Sequence, residues 1–323
     1  MLTRAGVLLL VCSLCPVAAA ETPAPTYRIG LVHVGAPGTC ILAPGFEQAF
    51  ARRGLVAGKT VVFERFGAAG QLDRLPAMLD QLVSQHVDLI VTCGYPAAVA
   101  AAQRASNIPL VVEHAGDPVE TKMVESLAHP GGNITGVSQI STELSAKRLE
   151  LLKEAVPGIH TVALLWNERD LAMQMRSNAA QVEAKRLGLV TELLPVRAPN
   201  DFAEAFAEMD RHPPDAILLV ADALTVTNHQ AVFDYAVAHR IPDMEEVNYL
   251  ADGGGLLAYG PDEVEEFNRA ADLAIRILHG AKPGDLPLEL PTRFRFSVNL
   301  KTAHELGLTI PETILVRADD VIE

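Results

Sequence analysis

The order of apolar and helical segments occurs twice in this chain, once before and once after residues 114–140. In each half, short apolar runs alternate with amphipathic stretches of roughly 10 to 15 residues, which is the pattern of βαβ units with a parallel sheet. Matching landmarks recur at an offset of roughly 127 to 134 positions, far beyond the periods of solenoid repeats: Gly54 with Gly188, Asp88 with Asp215, and Ile108 with Ile241. The sequence therefore predicts two similar, Rossmann-like α/β lobes with parallel sheets, joined through residues 114–140.

The elements after residue 243 have no counterpart in the first half of the chain. We expect them to carry the chain back across the boundary between the lobes. We expect three crossovers between the lobes, near residues 114–140, 244–256 and 288–295. Lobe 1 would then comprise residues 27–138 and 253–288, and lobe 2 residues 139–252 and 289–323. Ligands bind outside the carboxyl ends of the strands in such flavodoxin-like sheets, so the loops of two facing lobes would line one cleft.

Residues 1–20 have the features of a secretory signal peptide. Arg4 gives a basic start, Gly6–Val11 is apolar, and Ala18-Ala19-Ala20 offers a small-residue cleavage site. A lipid anchor at Cys12 or Cys15 is disfavoured, because bulky residues precede both. No later stretch reaches the roughly 18 consecutive apolar residues of a membrane span. We therefore expect a soluble product exported to the periplasm.

Charge and motifs exclude several functions. A formal net charge of −14 disfavours nucleic acid and anionic membrane surfaces as partners. The sequence contains no G-x-S-x-G, no P-loop, no H-E-x-x-H and no dinucleotide-binding G-x-G-x-x-G after the first strand. We expect a protein that is not an enzyme and that has no cofactor and no metal site.

Candidate ligand contacts in the first lobe follow its strand ends: Thr39, Thr92, Gly94, Tyr95 and Asp117. A helix should open at Pro96, and the free N–H groups at its start can hold a carboxylate. Tyr95 either offers an aromatic face to the ligand or packs at the edge of its loop. Asp117 either accepts a hydrogen bond from a ligand ammonium group or caps the helix expected after Pro118.

Asn167 and Asp222 occupy equivalent strand ends of the second lobe. We expect both in the pocket, although a role in a cap or turn is the alternative for each. Glu246 is expected to point inward and to contact the ligand, and Tyr259 is expected to be a further pocket residue. Trp166, which follows an apolar strand, is expected in the core.

Two cysteines remain beyond the leader, Cys40 and Cys93. They follow the first and third strands, which are neighbours in flavodoxin-like order. An oxidising compartment would allow a disulfide between them across the rim of the first lobe, provided that their Cα atoms lie within about 7 Å.

Short motifs extend over nearly the whole chain beyond the leader: Asp73–Ala77, Asp88–Val91, Gly94 with Pro96–Ala98, Asp117–Val119, Pro130–Ser138, Lys147–Lys153, Leu165–Asn167, Tyr259–Pro261, Asn299–Ala303 and Arg317–Glu323. In combination they resemble the tryptophan/tyrosine-type periplasmic substrate-binding proteins of ABC transporters. This resemblance implies a class I periplasmic-binding fold in which a solute is caught between two hinged lobes and delivered to a membrane permease.

The sequence departs from this family at three places that belong to the expected pocket. Many relatives have a small residue in place of Cys93 and Thr or Ser in place of Tyr95, and proline and aromatics are frequent at 221–224. An aromatic amino acid is therefore one candidate ligand among other amino acids and small carboxylates. We expect a monomeric transport protein, and the alternative is a sensing module that presents ligand occupancy to a membrane receptor.

Overall fold

The computed structural model describes residues 26–35 and 42–323, which form two α/β lobes. The elements of the first lobe are β1 (Tyr27–His33), α1 (Leu42–Ala51), β2 (Val61–Gly67), a 3-10 helix (Leu72–Arg74), α2 (Leu75–Ser84), β3 (Leu89–Cys93), α3 (Tyr95–Arg104), β4 (Leu110–Glu113) and β5 (Ile134–Gly136). These five strands form one parallel sheet in the order β2-β1-β3-β4-β5.

The second lobe contains a seven-stranded sheet. Its elements are α4 (Ser141–Ala155), β6 (Thr161–Asn167), α5 (Leu171–Arg186), β7 (Val190–Val196), α6 (Asp201–Arg211), β8 (Ala216–Leu219), α7 (Ala223–Thr227), α8 (His229–His239), β9 (Asp243–Glu245), α9 (Tyr249–Asp252), β10 (Leu257–Pro261), β11 (Phe294–Asn299), α11 (Leu300–Leu306), α12 (Glu312–Leu315) and β12 (Asp320–Ile322). The remaining long helix, α10 (Glu263–Leu278), lies between β10 and β11 in the chain and is followed by a 3-10 helix (Pro283–Asp285).

Both sheets contain the same strand order, which confirms the fold class predicted from the duplication. The order β7-β6-β8-β9-β10 in the second lobe repeats the order β2-β1-β3-β4-β5 of the first. Strands β11 and β12 extend the second sheet beyond β10, and only the β10–β11 pair is antiparallel. Each lobe thus has the flavodoxin-like arrangement, whose strand ends are the usual place for ligands.

Close packing between helix and sheet explains one glycine of the first strand. The buried residues Leu75, Leu79 and Leu82 recur at helical spacing along α2 and face the first sheet. A Cβ added to Gly30 would come within 2.6 Å of Leu82 Cδ1. Each such leucine contributes roughly 1.5–3 kcal/mol when it is fully buried. The helix can approach the sheet this closely because residue 30 has no side chain.

The segment from residue 253, expected in the first lobe, begins with a strand that lies in the sheet of the second lobe. Strand β10 is parallel to β9, with Leu257 opposite Met244, and antiparallel to β11, with Leu257 opposite Val298. The chain therefore crosses after Pro261 and not within residues 244–256. The physical reason is that β10 occupies in the second sheet the position that β5 occupies in the first, and so completes the five-strand order. The three glycines at 253–255 therefore form a turn inside the second lobe.

Helix α10 packs on the first lobe, and the chain then returns to the second. Phe267, Ala270 and Ala274 lie in the same apolar cluster as β1 and β3. Further along, the N–H of Glu289 donates to Gly136 O over 2.9 Å, so this segment runs beside β5. The next strand, β11, already belongs to the second sheet.

Candidate functional site

The carboxyl ends of strands from the two lobes meet in an interlobe contact. Tyr95, which follows β3, packs against a small cluster of second-lobe residues at the end of β8 and the start of α5: Ala172, Met173 and Val220. Trp166, near the end of β6, packs against the same cluster. Ala223 at the start of α7 packs in turn against an apolar cluster of the first lobe. The lobes are thus closed on each other in this structure, and the candidate site lies where they touch.

The first-lobe wall is built around the start of α3. Gly94 has φ +92°, a conformation that strongly favours glycine, and it directs the chain from β3 into the helix. Tyr95 is the first helical residue and is partly exposed. Burial, and then the charge of Asp170, raise the pKa of its phenol. Tyr95 therefore both packs at a loop edge and faces the carboxylates of the other lobe.

Thr92 lies beneath this wall and not in it. Its side chain is fully buried, and its hydroxyl has no hydrogen-bond partner within residues 26–35 and 42–323. A ligand would reach it only if the end of β3 rearranged. Thr39 and Cys40 lie outside the described residues, so the Thr39 contact and the Cys40–Cys93 disulfide stay predictions; Cys93 itself ends β3 and is half-buried.

The second-lobe wall carries a linked pair of helix caps. Asp170 caps α5 by accepting from the N–H of Ala172 over 2.8 Å, and Asp222 caps α7 by accepting from the N–H groups of Leu224 and Thr225 over 3.0 and 2.9 Å. The side-chain amide of Asn167 donates to Asp222 Oδ2 over 2.6 Å. Asp222 therefore caps a helix and also stands beside Asn167 at the cleft.

The two aspartates influence one another. Burial, and then repulsion from Asp222, raise the pKa of Asp170 to about 6. Burial also raises the pKa of Asp222, although the cap hydrogen bonds and the Asn167 amide oppose this. Asp170 was not among the predicted site residues; the signal for it was an aspartate directly before a helix and three residues after Asn167. A ligand cation beside this pair would favour its ionised form.

Glu246 forms ion pairs inside the second lobe. It is only 3% exposed, and its Oε1 accepts from Arg148 over 2.7 Å while Oε2 accepts from Arg176 over 2.8 Å. The N–H of Ala221 also donates to Oε2. Both oxygens are occupied, so Glu246 holds α4, α5 and the end of β8 together. Neither arginine was predicted, because their partner lies 98 and 70 residues away in the chain.

Asp117 caps a helix of the second lobe. It accepts from the N–H of Thr142 over 3.0 Å and from the Thr142 hydroxyl, at the start of α4. The expectation of a cap on a helix after Pro118 is wrong, since residues 118–125 form turns and bends. Asp117 thus connects the first lobe to the beginning of the second.

Tyr259 and Trp166 differ in their surroundings. The ring of Tyr259 packs in the main apolar cluster of the second lobe, stacked on Phe294 at 6.2 Å between centroids. Trp166 is not enclosed in the core; it is partly exposed in the interlobe contact, and its indole N–H has no hydrogen-bond partner among the residues that the structure describes. Trp166 is therefore the second aromatic residue of the site, beside Tyr95.

Residues 26–35 and 42–323 contain neither a metal-binding group of side chains nor a membrane-spanning helix. No group of three or more His, Cys, Asp and Glu side chains in these ranges is arranged to hold a metal ion. None of the helices in the same ranges combines the length and the apolar composition needed to cross a membrane.

Comparisons with known proteins identify similar sequences and structures. Residues 31–322 match the model of a family described as ABC transporter substrate binding protein. A tyrosine-binding protein of Clostridioides difficile is 24% identical over 265 residues, covering 82% of this chain and 76% of the relative. An ABC domain from Streptococcus pneumoniae in complex with L-Trp is 26% identical, with a TM-score of 0.85, covering 92% of this chain and all of that one. A conserved domain protein from Vibrio cholerae has the same fold, at 23% identity and a TM-score of 0.86, with 91% and 99% of the two chains covered.

Proposed function

From the premise that this chain belongs to the ABC transporter substrate binding protein family, we propose that it captures an amino acid or another small, aromatic or aliphatic carboxylate between its lobes. The observation that carries the proposal is the interlobe contact, where Tyr95 and Trp166 pack on one apolar cluster and Tyr95 faces the carboxylate of Asp170, which in turn interacts with that of Asp222. A site built in this way suits a ligand with an apolar body and a charged end.

The charged groups of an amino acid find complementary partners here. The start of α3, which follows Gly94, supplies unsatisfied backbone N–H groups and the positive end of the helix dipole to a carboxylate. Asp222 and Asp170 would accept from an ammonium group, with Asn167 orienting Asp222. The relatives named for tyrosine binding and solved with L-Trp make aromatic amino acids the first candidates.

Binding would act by closing the hinge. Tyr95 and Asp117 belong to the first lobe, whereas Asn167 and Asp222 belong to the second, so only the closed state offers both sets of groups to one ligand. A ligand that contacts both walls shifts the population toward closure. The closed form would then deliver the solute to a membrane permease, from a monomer exported to the periplasm by the leader at residues 1–20. In this role the protein binds its solute and does not transform it.

A thermal-shift screen tests the ligand class. The twenty L-amino acids, aromatic acids and short aliphatic carboxylates would each be added to the purified chain, and a ligand that binds only the native state raises the melting temperature. At one hundred times Kd the gain is about 2.7 kcal/mol. We expect the largest rise with an aromatic L-amino acid. A screen in which no amino acid or carboxylate changes the melting temperature would contradict the proposal.

Two variants test the site. Asp222→Asn keeps an oxygen for the α7 cap but removes the charge, and Tyr95→Ala removes the ring. Each should reduce the shift produced by the best ligand, because each removes a group that faces it. Glu305→Gln, an exposed change on α11, is the control and should leave the shift intact. A full shift in both site variants would exclude these residues from the pocket.

A further inference from the structure

A pair of buried polar side chains lies behind the cleft, where the first lobe meets the second. His114 follows β4, and Glu266 lies in the first turn of α10, so both belong to the first lobe. Their closest atoms, Nε2 and Oε2, are 3.7 Å apart. Glu266 is only 1% exposed. Neither ring nitrogen of His114 and neither carboxylate oxygen of Glu266 makes a hydrogen bond of normal geometry within the described residues.

The second lobe closes over this pair with an arginine. Arg176 of α5 is held by Glu246 and Ala221 of its own lobe and donates to Gln139 Oε1 in the connecting segment. Its Nη2 lies 3.4 Å from the position that a Cβ on Gly116 would occupy, two residues beyond His114. Opening the hinge would carry Arg176 away with the second lobe and admit water to the pair. Closure therefore removes two ionisable groups from solvent.

We propose that closure of the lobes is coupled to protonation of Glu266, with His114 held neutral beside it, so that ligand capture takes up a proton. This proposal rests on the proposed function, since it concerns the regulation of the same cleft. Uptake follows because burying a charged carboxylate that makes no hydrogen bond of normal geometry costs far more free energy than burying its neutral, protonated form.

The two groups respond to pH in opposite ways. Burial, and then repulsion from Glu263, raise the pKa of Glu266 to about 8, while Gln139 and Arg176 lower it in part and Glu265 adds repulsion. Burial, and then the charge of Arg176, lower the pKa of His114 to about 3. Because its pKa is raised in the closed state, Glu266 stabilises closure at low pH. This stabilisation is lost as pH rises through about 8. Because its pKa is lowered in the closed state, His114 stabilises closure at high pH. This stabilisation is lost as pH falls below about 6.5.

These opposite responses give a distinctive profile. With ordinary pKa values in the open state, the ratio of closed to open protein should rise about eightfold as pH falls from about 8 to about 6.5. Below about 6.5, closure must also expel a proton from His114, so the ratio should level off. The plateau should lie about 25-fold above the value at pH 9.

Small-angle scattering of the full, ligand-free chain between pH 5 and pH 9 tests this profile. We expect the radius of gyration to fall from pH 9 to about pH 6.5 and then to remain constant. Glu266→Gln, which imitates the protonated acid, should remove the pH dependence above 6.5, and the exposed control Glu305→Gln should retain it. A constant radius in the wild type, or an unchanged profile in Glu266→Gln, would overturn the proposal.

A second variant and a second measurement guard against misfolding of Glu266→Gln. His114→Asn suits the left-handed backbone at this position, φ +50°, and should let the radius continue to fall below pH 6.5. Titration calorimetry with L-tryptophan as probe, in phosphate and in Tris at pH 7.3, should show net uptake of about 0.7 proton in the wild type, because His114 releases part of what Glu266 takes up, and less uptake in Glu266→Gln. Binding without uptake would overturn the proton coupling alone. No heat with L-tryptophan would count against the ligand class, and the scattering profile would still decide the coupling.

Discussion

Replacing Gly116 by alanine should weaken ligand binding, because the new methyl group would stand between the lobes. Gly116 follows β4 in the first lobe and has φ +73°. A Cβ at this position would lie 3.1 Å from Ala172 Cβ and 3.4 Å from Arg176 Nη2, both on α5 of the second lobe. The contact therefore exists only while the lobes are closed, and an open protein would not experience it.

The substitution carries two separate costs. A left-handed backbone costs an L-residue about 1 kcal/mol, and this term lowers the free energy of unfolding in the open and closed states alike. Overpacking at the interlobe contact costs about 1 kcal/mol at the low end, because two surfaces that meet can yield by a few tenths of an ångström. Only the second cost opposes closure. It corresponds to a roughly fivefold rise in Kd.

Gly188→Ala is the matched control. Gly188 has φ +72°, and a Cβ there would meet nothing within 4 Å. Urea unfolding should show a loss of about 1 kcal/mol in both variants. Calorimetry with the ligand of largest thermal shift should show a higher Kd only for Gly116→Ala, and adding Ala172→Gly should restore it. Equal Kd values in the wild type and both variants would refute the interlobe contact as part of the liganded state.

Three further predictions concern buried charges and caps. Glu246→Ala should lower the free energy of unfolding by about 3–5 kcal/mol in urea titrations, because it leaves Arg148 and Arg176 buried without their carboxylate; a loss below 1 kcal/mol would contradict this. Burial raises the pKa of Asp243, a fully buried residue of β9, so its contribution to stability is complete in acid and is lost as pH rises. The melting temperature should therefore depend less on pH between 5 and 8 in Asp243→Asn than in the wild type. An identical pH dependence in the two proteins would show that Asp243 does not contribute to it. Asp222→Ala should cost about 1 kcal/mol through the lost cap, whereas Asp222→Asn should cost much less; equal losses would exclude the cap as the cause.

The fold was accessible from the sequence because it depends on patterns that repeat along the chain. Apolar runs, amphipathic helices and the offset between Gly54 and Gly188 indicated two similar α/β units, and the strand orders of the two sheets agree with this. The lobe to which β10 belongs was not accessible. A short apolar strand fits the edge of either sheet, and only its pairing with β9 and β11 decides the matter.

For the candidate site, the sequence indicated which residues lie at strand ends, but it did not indicate which side chains contact one another. Asn167 and Asp222, at the ends of β6 and β8, are joined by a hydrogen bond, and Tyr95, at the end of β3, packs on the neighbouring cluster of Ala172, Met173 and Val220. The burial of Glu246 in ion pairs depends on Arg148 and Arg176, and nothing local in the sequence connects these residues. Long-range electrostatic partners of this kind become visible only when the fold has placed them.

The packing of α10 on the first lobe bears on the order in which the protein can mature. A Cβ on Gly45 would lie 2.5 Å from the ring of Phe267, so α1 and α10 are fitted to each other across more than two hundred residues of chain. During synthesis on the ribosome, the first lobe cannot bury its apolar core completely until α10, which is translated late, has been added. An N-terminal fragment ending near residue 140 would keep that apolar surface uncovered, and it should be prone to aggregation or dependent on chaperones.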